Sequence, residues 1–160
     1  MAKDIILSEH FRLSEFTNSY MAKRLGIDNT PSLAVVSNLQ QLCRHVLEPL
    51  RQYAGCPIII SSGYRCPSLN QAVGGVSKSQ HLVGEAADIV LPSTAVGRQW
   101  LGWLMDQKFD QLIFERASVK STTFWIHVSY RQDGHNRQQV IDGLTKISSL
   151  TEIFNPRNTL

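Results

Sequence analysis

His81, Asp88 and His127 are the residues of this chain whose types and spacing combine into metal chemistry. The first two lie seven positions apart in SQHLVGEAADIV, and the third lies in FWIHVSY. Both stretches carry the β-branched and aromatic residues that favour strands. Strand alternation puts Ala86, Asp88 and Val90 on one face of the first, and Trp125, His127 and Ser129 on one face of the second. Gly84 allows a turn that brings the His81 imidazole back toward the same point. Two imidazoles and one carboxylate make a three-donor set suited to a tetrahedral zinc whose fourth position stays open for water. The same spacing also suits a satisfied core histidine and an aspartate that caps a turn. The same donor inventory is that of two-histidine, one-carboxylate iron sites, which usually hold histidine and carboxylate closer together on strand-rich barrels.

Several elements must form to position these groups. SEFTNSYMAKRLGI reads as a short helix with Ser14 as N-cap and Gly26 as stop. Thr30-Pro31 opens the strongest helical run, with Val35, Leu39, Leu42, Val46, Leu50 and Tyr53 at three- and four-residue steps up to Gly55. Pro49 inside it should kink or weaken the last turns. PIIIS reads as a short buried strand closed by Gly63, and CPSLNQAV as one or two helical turns before Gly74-Gly75. AADIVLP, FDQLIFE and FWIHVSY give further strands, and Ser93 or Thr94 caps a helix carrying Val96, Trp100, Trp103 and Leu104. From Arg131 onward the signal is weak: RQDGHNRQQ is loop-like, and IDGLTKISSLTEIF reads as a helix or as a surface-draped segment. Helices early and strands late predict an α+β domain, a small antiparallel sheet with helices packed around it.

Composition bounds the rest. With 160 residues, 42% of them hydrophobic, the chain builds one sizeable core, so 1–160 is expected to be a single domain and a monomer. A net charge of +3 falls short of a nucleic-acid-binding balance. Three cysteines, Cys43, Cys56 and Cys66, form no C-x-x-C pair and support neither a disulfide framework nor a four-cysteine zinc site. The N-terminal apolar run Ile5 to Leu7 is too short for a signal peptide, and nothing approaches a membrane span, so synthesis in the cytoplasm is expected.

SSGYRCPSLNQAVGGVSKSQHLVGEAADI, together with FDQLIFE and WIHVSY, resembles the zinc D-Ala-D-Ala carboxypeptidase-like peptidases, which include phage and bacterial L-alanyl-D-glutamate endopeptidases acting on peptidoglycan. The element S-x-H-x-x-G-x-A-x-D appears as Ser79, His81, Gly84, Ala86 and Asp88, and W-x-H-x-S as Trp125, His127 and Ser129. The resemblance covers about residues 8 to 130, leaving 131–160 as a C-terminal extension. It implies one zinc ion held by His81, Asp88 and His127, and hydrolysis of stem peptides by metal-activated water. It also implies Arg65 as the cation for a substrate carboxylate or the developing oxyanion, with Ser79 and Gln80 orienting the site or binding substrate. Trp100, Trp103 and Trp125 read most simply as core residues, with Trp125, beside the metal strand, the alternative wall of the cleft and a substrate contact.

The general base is where the chain departs from relatives. Several carry an acidic residue three positions before the last histidine ligand, or a histidine two before it, whereas this chain has Phe124 and Trp125. Neither moves protons. Glu115 in FDQLIFE is the expected replacement, because its strand should lie beside WIHVSY and it shares a face with Gln111. A solvated strand-end charge is the plain alternative for Glu115, and Glu85 and Asp110 alternate away from the site. A zinc-binding but catalytically silent module, like the signalling domain of hedgehog proteins, is the second functional reading. With no leader in view, a phage lysis protein released through a holin pore, a virion-associated domain, or a cellular protein acting on imported wall fragments fits the resemblance.

Overall fold

The computed structural model of the protein describes residues 3–118 and 120–143. The expected first helix is two: α1 over Leu13–Thr17 and α2 over Tyr20–Leu25. Ser19 breaks the run because its hydroxyl accepts from the Ala22 N–H and caps α2, while Arg12 rather than Ser14 stands at the N-cap of α1. Gly26 ends α2 in the left-handed conformation, as expected.

The long periodic stretch folds as α3, Leu33–Leu42, a π turn over Cys43–Leu47, and α4, Glu48–Ala54, closed by Gly55 at a φ of 67°. The disturbance expected from Pro49 takes the form of that π turn. Pro49 has no N–H to return to the preceding turn, and the ladder shifts just before it, with the Glu48 N–H donating to the Cys43 carbonyl five residues back.

Five strands follow in the sheet order β1-β2-β4-β3-β5: β1 Ile60–Ser62, β2 Ala86–Val90, β3 Gln111–Arg116, β4 Phe124–Ser129 and β5 Gln139–Asp142. The first four pair antiparallel, and β5 adds a parallel edge beside β3, making the sheet mixed. This is the α+β architecture expected, with one strand more than the sequence announces. The last stretch of IDGLTKISSLTEIF lies outside the described residues.

Alternation divides the sheet into two faces. Ala87, Ile89, Leu112, Phe114, Ile126 and Val128 are fully buried and join Leu39, Leu42, Leu47 and Leu50 of the long helical run in one core. α6, Thr94–Met105, capped by Ser93, adds Trp100, Leu101 and Leu104 to it. The opposite face carries Asp88, Gln111, Ile113, Glu115, Trp125 and His127. Among the described residues no helix is long and apolar enough to cross a membrane.

Candidate metal centre

β2 and β4 pair so that Asp88 stands directly opposite His127. Both side chains leave the sheet on the open face, and His127 Nδ1 lies 3.1 Å from Asp88 Oδ1. His81 comes from a 3-10 turn, Gln80–Val83, inserted between α5 (Pro67–Ala72) and β2. Ser79 caps that turn, its hydroxyl accepting from the His81 N–H. Gly84 closes the turn at a φ of 75°, and a Cβ there would meet the Val35 carbonyl at 2.7 Å, so only glycine fits. His81 Nε2 thereby reaches 3.3 Å from the same Asp88 oxygen. The three donor atoms lie within 4.8 Å of one another.

The bonding around this cluster tests whether it fits a cation. His81 Nδ1 is 2.6 Å from the Gly63 carbonyl, which only accepts, so Nδ1 carries the proton and the Nε2 of a neutral ring turns its lone pair toward the Asp88 carboxylate. Lone pair against carboxylate is repulsive unless the ring is protonated or a cation sits between them. An outer carbonyl that fixes the tautomer and frees the inner nitrogen is the usual support of a metal-ligating histidine. His127 directs Nδ1 at the same Asp88 oxygen, while its Nε2, on the other side of the ring, is buried with no hydrogen-bond partner, an orphaned atom of the kind a water completes. Burial pushes the Asp88 carboxyl up, but the His127 and His81 rings outweigh it wherever they face the carboxylate as proton donors or as cations, and hold the group well below the ordinary aspartate range, ionised; a bound cation would take over that role. Two imidazoles, one ionised carboxylate and near-complete burial of His81 fit a divalent metal.

The cluster opens into a cleft of about 520 Å³, which Arg65, Glu115 and Trp125 also line. Arg65 is half-buried: desolvation lowers its pKa, and the charges of Asp88 and Glu115 oppose that, so its guanidinium lies in the field of both carboxylates. Its Nε is buried without a partner, and its Nη2 donates to Ser79 Oγ at 3.5 Å. Glu115 Oε2 accepts from Trp125 Nε1 at 2.6 Å across the β3–β4 pair. Glu115 is therefore held against the indole on the cleft wall, not left as a loose strand-end charge.

Gln80 donates to Asp110 Oδ2 at 2.8 Å, while its own Oε1 is buried and unpartnered. Gly74 and Gly75 line the cleft, and a Cβ on Gly75 would collide with the Asn70 side chain. The weaker base candidates stand elsewhere: Asp110 is fully buried and paired with Arg137, and Glu85 shares Gln80 with it at 3.5 Å. The remaining histidines have partners of their own. His10 meets Glu48, His45 stacks on Tyr130, and His135 sits beside Asp133. A roomier groove beside Ser8, His10 and Glu48 holds no converging metal-donor set among the described residues.

Arg137 and Lys78 also line the cleft, and sequence reasoning did not find them. Arg137 lies in the stretch read as a loop, with no periodicity to mark it. Lys78 sits two positions before Gln80 and is a surface cation by type alone.

No curated protein matches the chain. A family model described as Peptidase M15 matches residues 9–129, three-quarters of the chain and all three metal donors. With that match and this donor geometry in place, the chain belongs to the peptidase M15 family of zinc D-Ala-D-Ala carboxypeptidase-like metallopeptidases.

Proposed function

We propose that the chain is a zinc peptidase that hydrolyses peptide bonds of peptidoglycan stem peptides, of the D-Ala-D-Ala or the L-Ala-D-Glu type. The observation that carries the reading is the convergence of His81 Nε2, its tautomer fixed by Gly63, with Asp88 and His127 inside a cleft. His81, Asp88 and His127 would hold the ion. When bound, zinc lowers the pKa of a coordinated water and polarises a carbonyl.

The chain's own residues supply the rest. Glu115 accepts the water proton on Oε1, the oxygen not engaged by Trp125, and returns it to the leaving amine. Trp125 fixes the Glu115 rotamer and walls the cleft. Arg65, half-desolvated and facing Asp88 and Glu115, offers its guanidinium to a substrate carboxylate or to the developing oxyanion. Ser79 caps the His81 turn and offers its hydroxyl to the peptide, while Gln80, tied to Asp110, orients the site beside it. A lysis protein of a phage, acting on the cell wall, is the setting this chemistry suits.

The test is mass-spectrometric digestion of purified stem peptides, with metal analysis of protein purified without added metal. Fragments are expected from the wild type. Glu115→Gln should keep stoichiometric zinc and lose activity by about 10²–10⁴-fold, the usual worth of a general base. Full activity in that variant rejects Glu115. Zinc bound with no fragment released from any stem peptide overturns the peptidase reading in favour of a silent zinc module.

A further inference from the structure

Arg137 stands C-terminal to the family-matched stretch, yet it lines the same cleft as His81, Asp88 and Glu115. Its place there is built from behind. Asp110, fully buried, accepts from the Arg137 backbone N–H at 2.9 Å, from Nε at 3.1 and 3.2 Å, and from Nη2 at 2.7 Å. The same carboxylate accepts from Gln80 Nε2 at 2.8 Å, and Gln80 adjoins His81, so the guanidinium and the metal-donor turn share one anchor.

Asp110 engages only the Nε–Nη2 edge. A guanidinium has five N–H donors in a rigid fork, so three remain, and the Arg137 side chain is 50% exposed while its partner is buried. The outer edge is thus a pre-oriented fork directed away from the core, matched to a planar carboxylate. Arg65, Lys78 and Arg137 stand on the cleft wall with Asp88 and Glu115, and although Asp110 balances the charge of Arg137 from behind, a divalent ion on Asp88 would tip the cleft toward acidic substrates.

We propose that Arg137, held by buried Asp110, is a specificity-determining residue that binds a carboxylate of the substrate peptide with its outer Nη edge. The inference rests on the stem-peptide reading for the substrate class. Such peptides offer two carboxylates of this chemistry, the C-terminal one and the α-carboxylate of a γ-linked glutamate.

Calorimetric binding to the zinc-loaded chain carrying Glu115→Gln, with peptide integrity checked by mass spectrometry, tests it. The probes are a stem tetrapeptide with both carboxylates free, its C-terminal amide, and its glutamate α-amide. One amide is expected to bind about tenfold more weakly than the free acid, and which one identifies the carboxylate. Adding Arg137→Gln should bring that ratio to about one, and Arg137→Lys, which keeps a charge for Asp110, should cut it at least by half because ammonium lacks the fork. Equal binding of all three peptides overturns the proposal. So does a ratio that survives both Arg137 variants, or one that vanishes in Lys78→Gln instead. Wild-type chain that cleaves nothing while the zinc-loaded protein keeps the Arg137-dependent ratio overturns the peptidase reading and leaves this one standing; cleavage with no carboxylate preference does the reverse.

Discussion

Asp110 shows how a single buried carboxylate sets conditions for the whole site. Burial pushes its pKa up, but hydrogen bonds from Arg137 and Gln80 outweigh that, so the folded value lies below the ordinary aspartate value of about 3.9. The unfolded chain then binds this proton more readily than the folded one. The stabilisation is fully present above the unfolded pKa and is lost as pH falls through the folded one. Asp110→Asn should cost about 1–3 kcal/mol at neutral pH, since Arg137 stays half in water, and the gap to wild type should narrow below about pH 4 in denaturant titrations. A gap constant across that range counts against the ion pair. At this scale the sequence was informative where one strand's alternation sufficed: Asp88 and His127 share a face by parity, and Glu115 by its offset from Gln111. It was silent on the Asp110–Arg137 pair, which lies 27 residues apart across loops with no period to read.

The turn that carries His81 depends on Gly84. A side chain there meets both the left-handed backbone, φ 75°, and the Val35 carbonyl of α3 at 2.7 Å. Gly84→Ala should therefore destabilise by about 2–5 kcal/mol and loosen metal binding together with the fold, measurable by thermal melts and zinc titration. A melt unchanged from wild type would mean the turn relaxes freely. Elements with strong local signals were legible: the apolar steps from Val35 to Leu50, the Gly26 and Gly55 stops, and the β-branched strands. The π turn was not, because one-residue ladder shifts leave the apolar period nearly intact. β5 was not, because a four-residue edge strand with two half-exposed positions carries no burial pattern of its own and is recruited by the register of β3.

Across the molecule, metal binding at the candidate site would be linked to folding. An ion that binds the assembled His81, Asp88 and His127 but not the unfolded chain adds about 4 kcal/mol at a thousandfold excess over its Kd. For a chain of this length that raises Tm by on the order of 10 °C. Chelation should remove the increment, Asp88→Asn should abolish it, and acidification should erode it because ligating imidazoles must be neutral. A zinc-independent Tm would refute the linkage. The sheet order adds a kinetic asymmetry: the two strands bearing Asp88 and His127 are neighbours with another strand on either side. Fraying at the rims, even the loss of β1 that precedes the Gly63 carbonyl behind His81, leaves a two-pronged chelate intact. An ion that left would thus return to a half-built trap, and its recapture would need only one arm to swing shut.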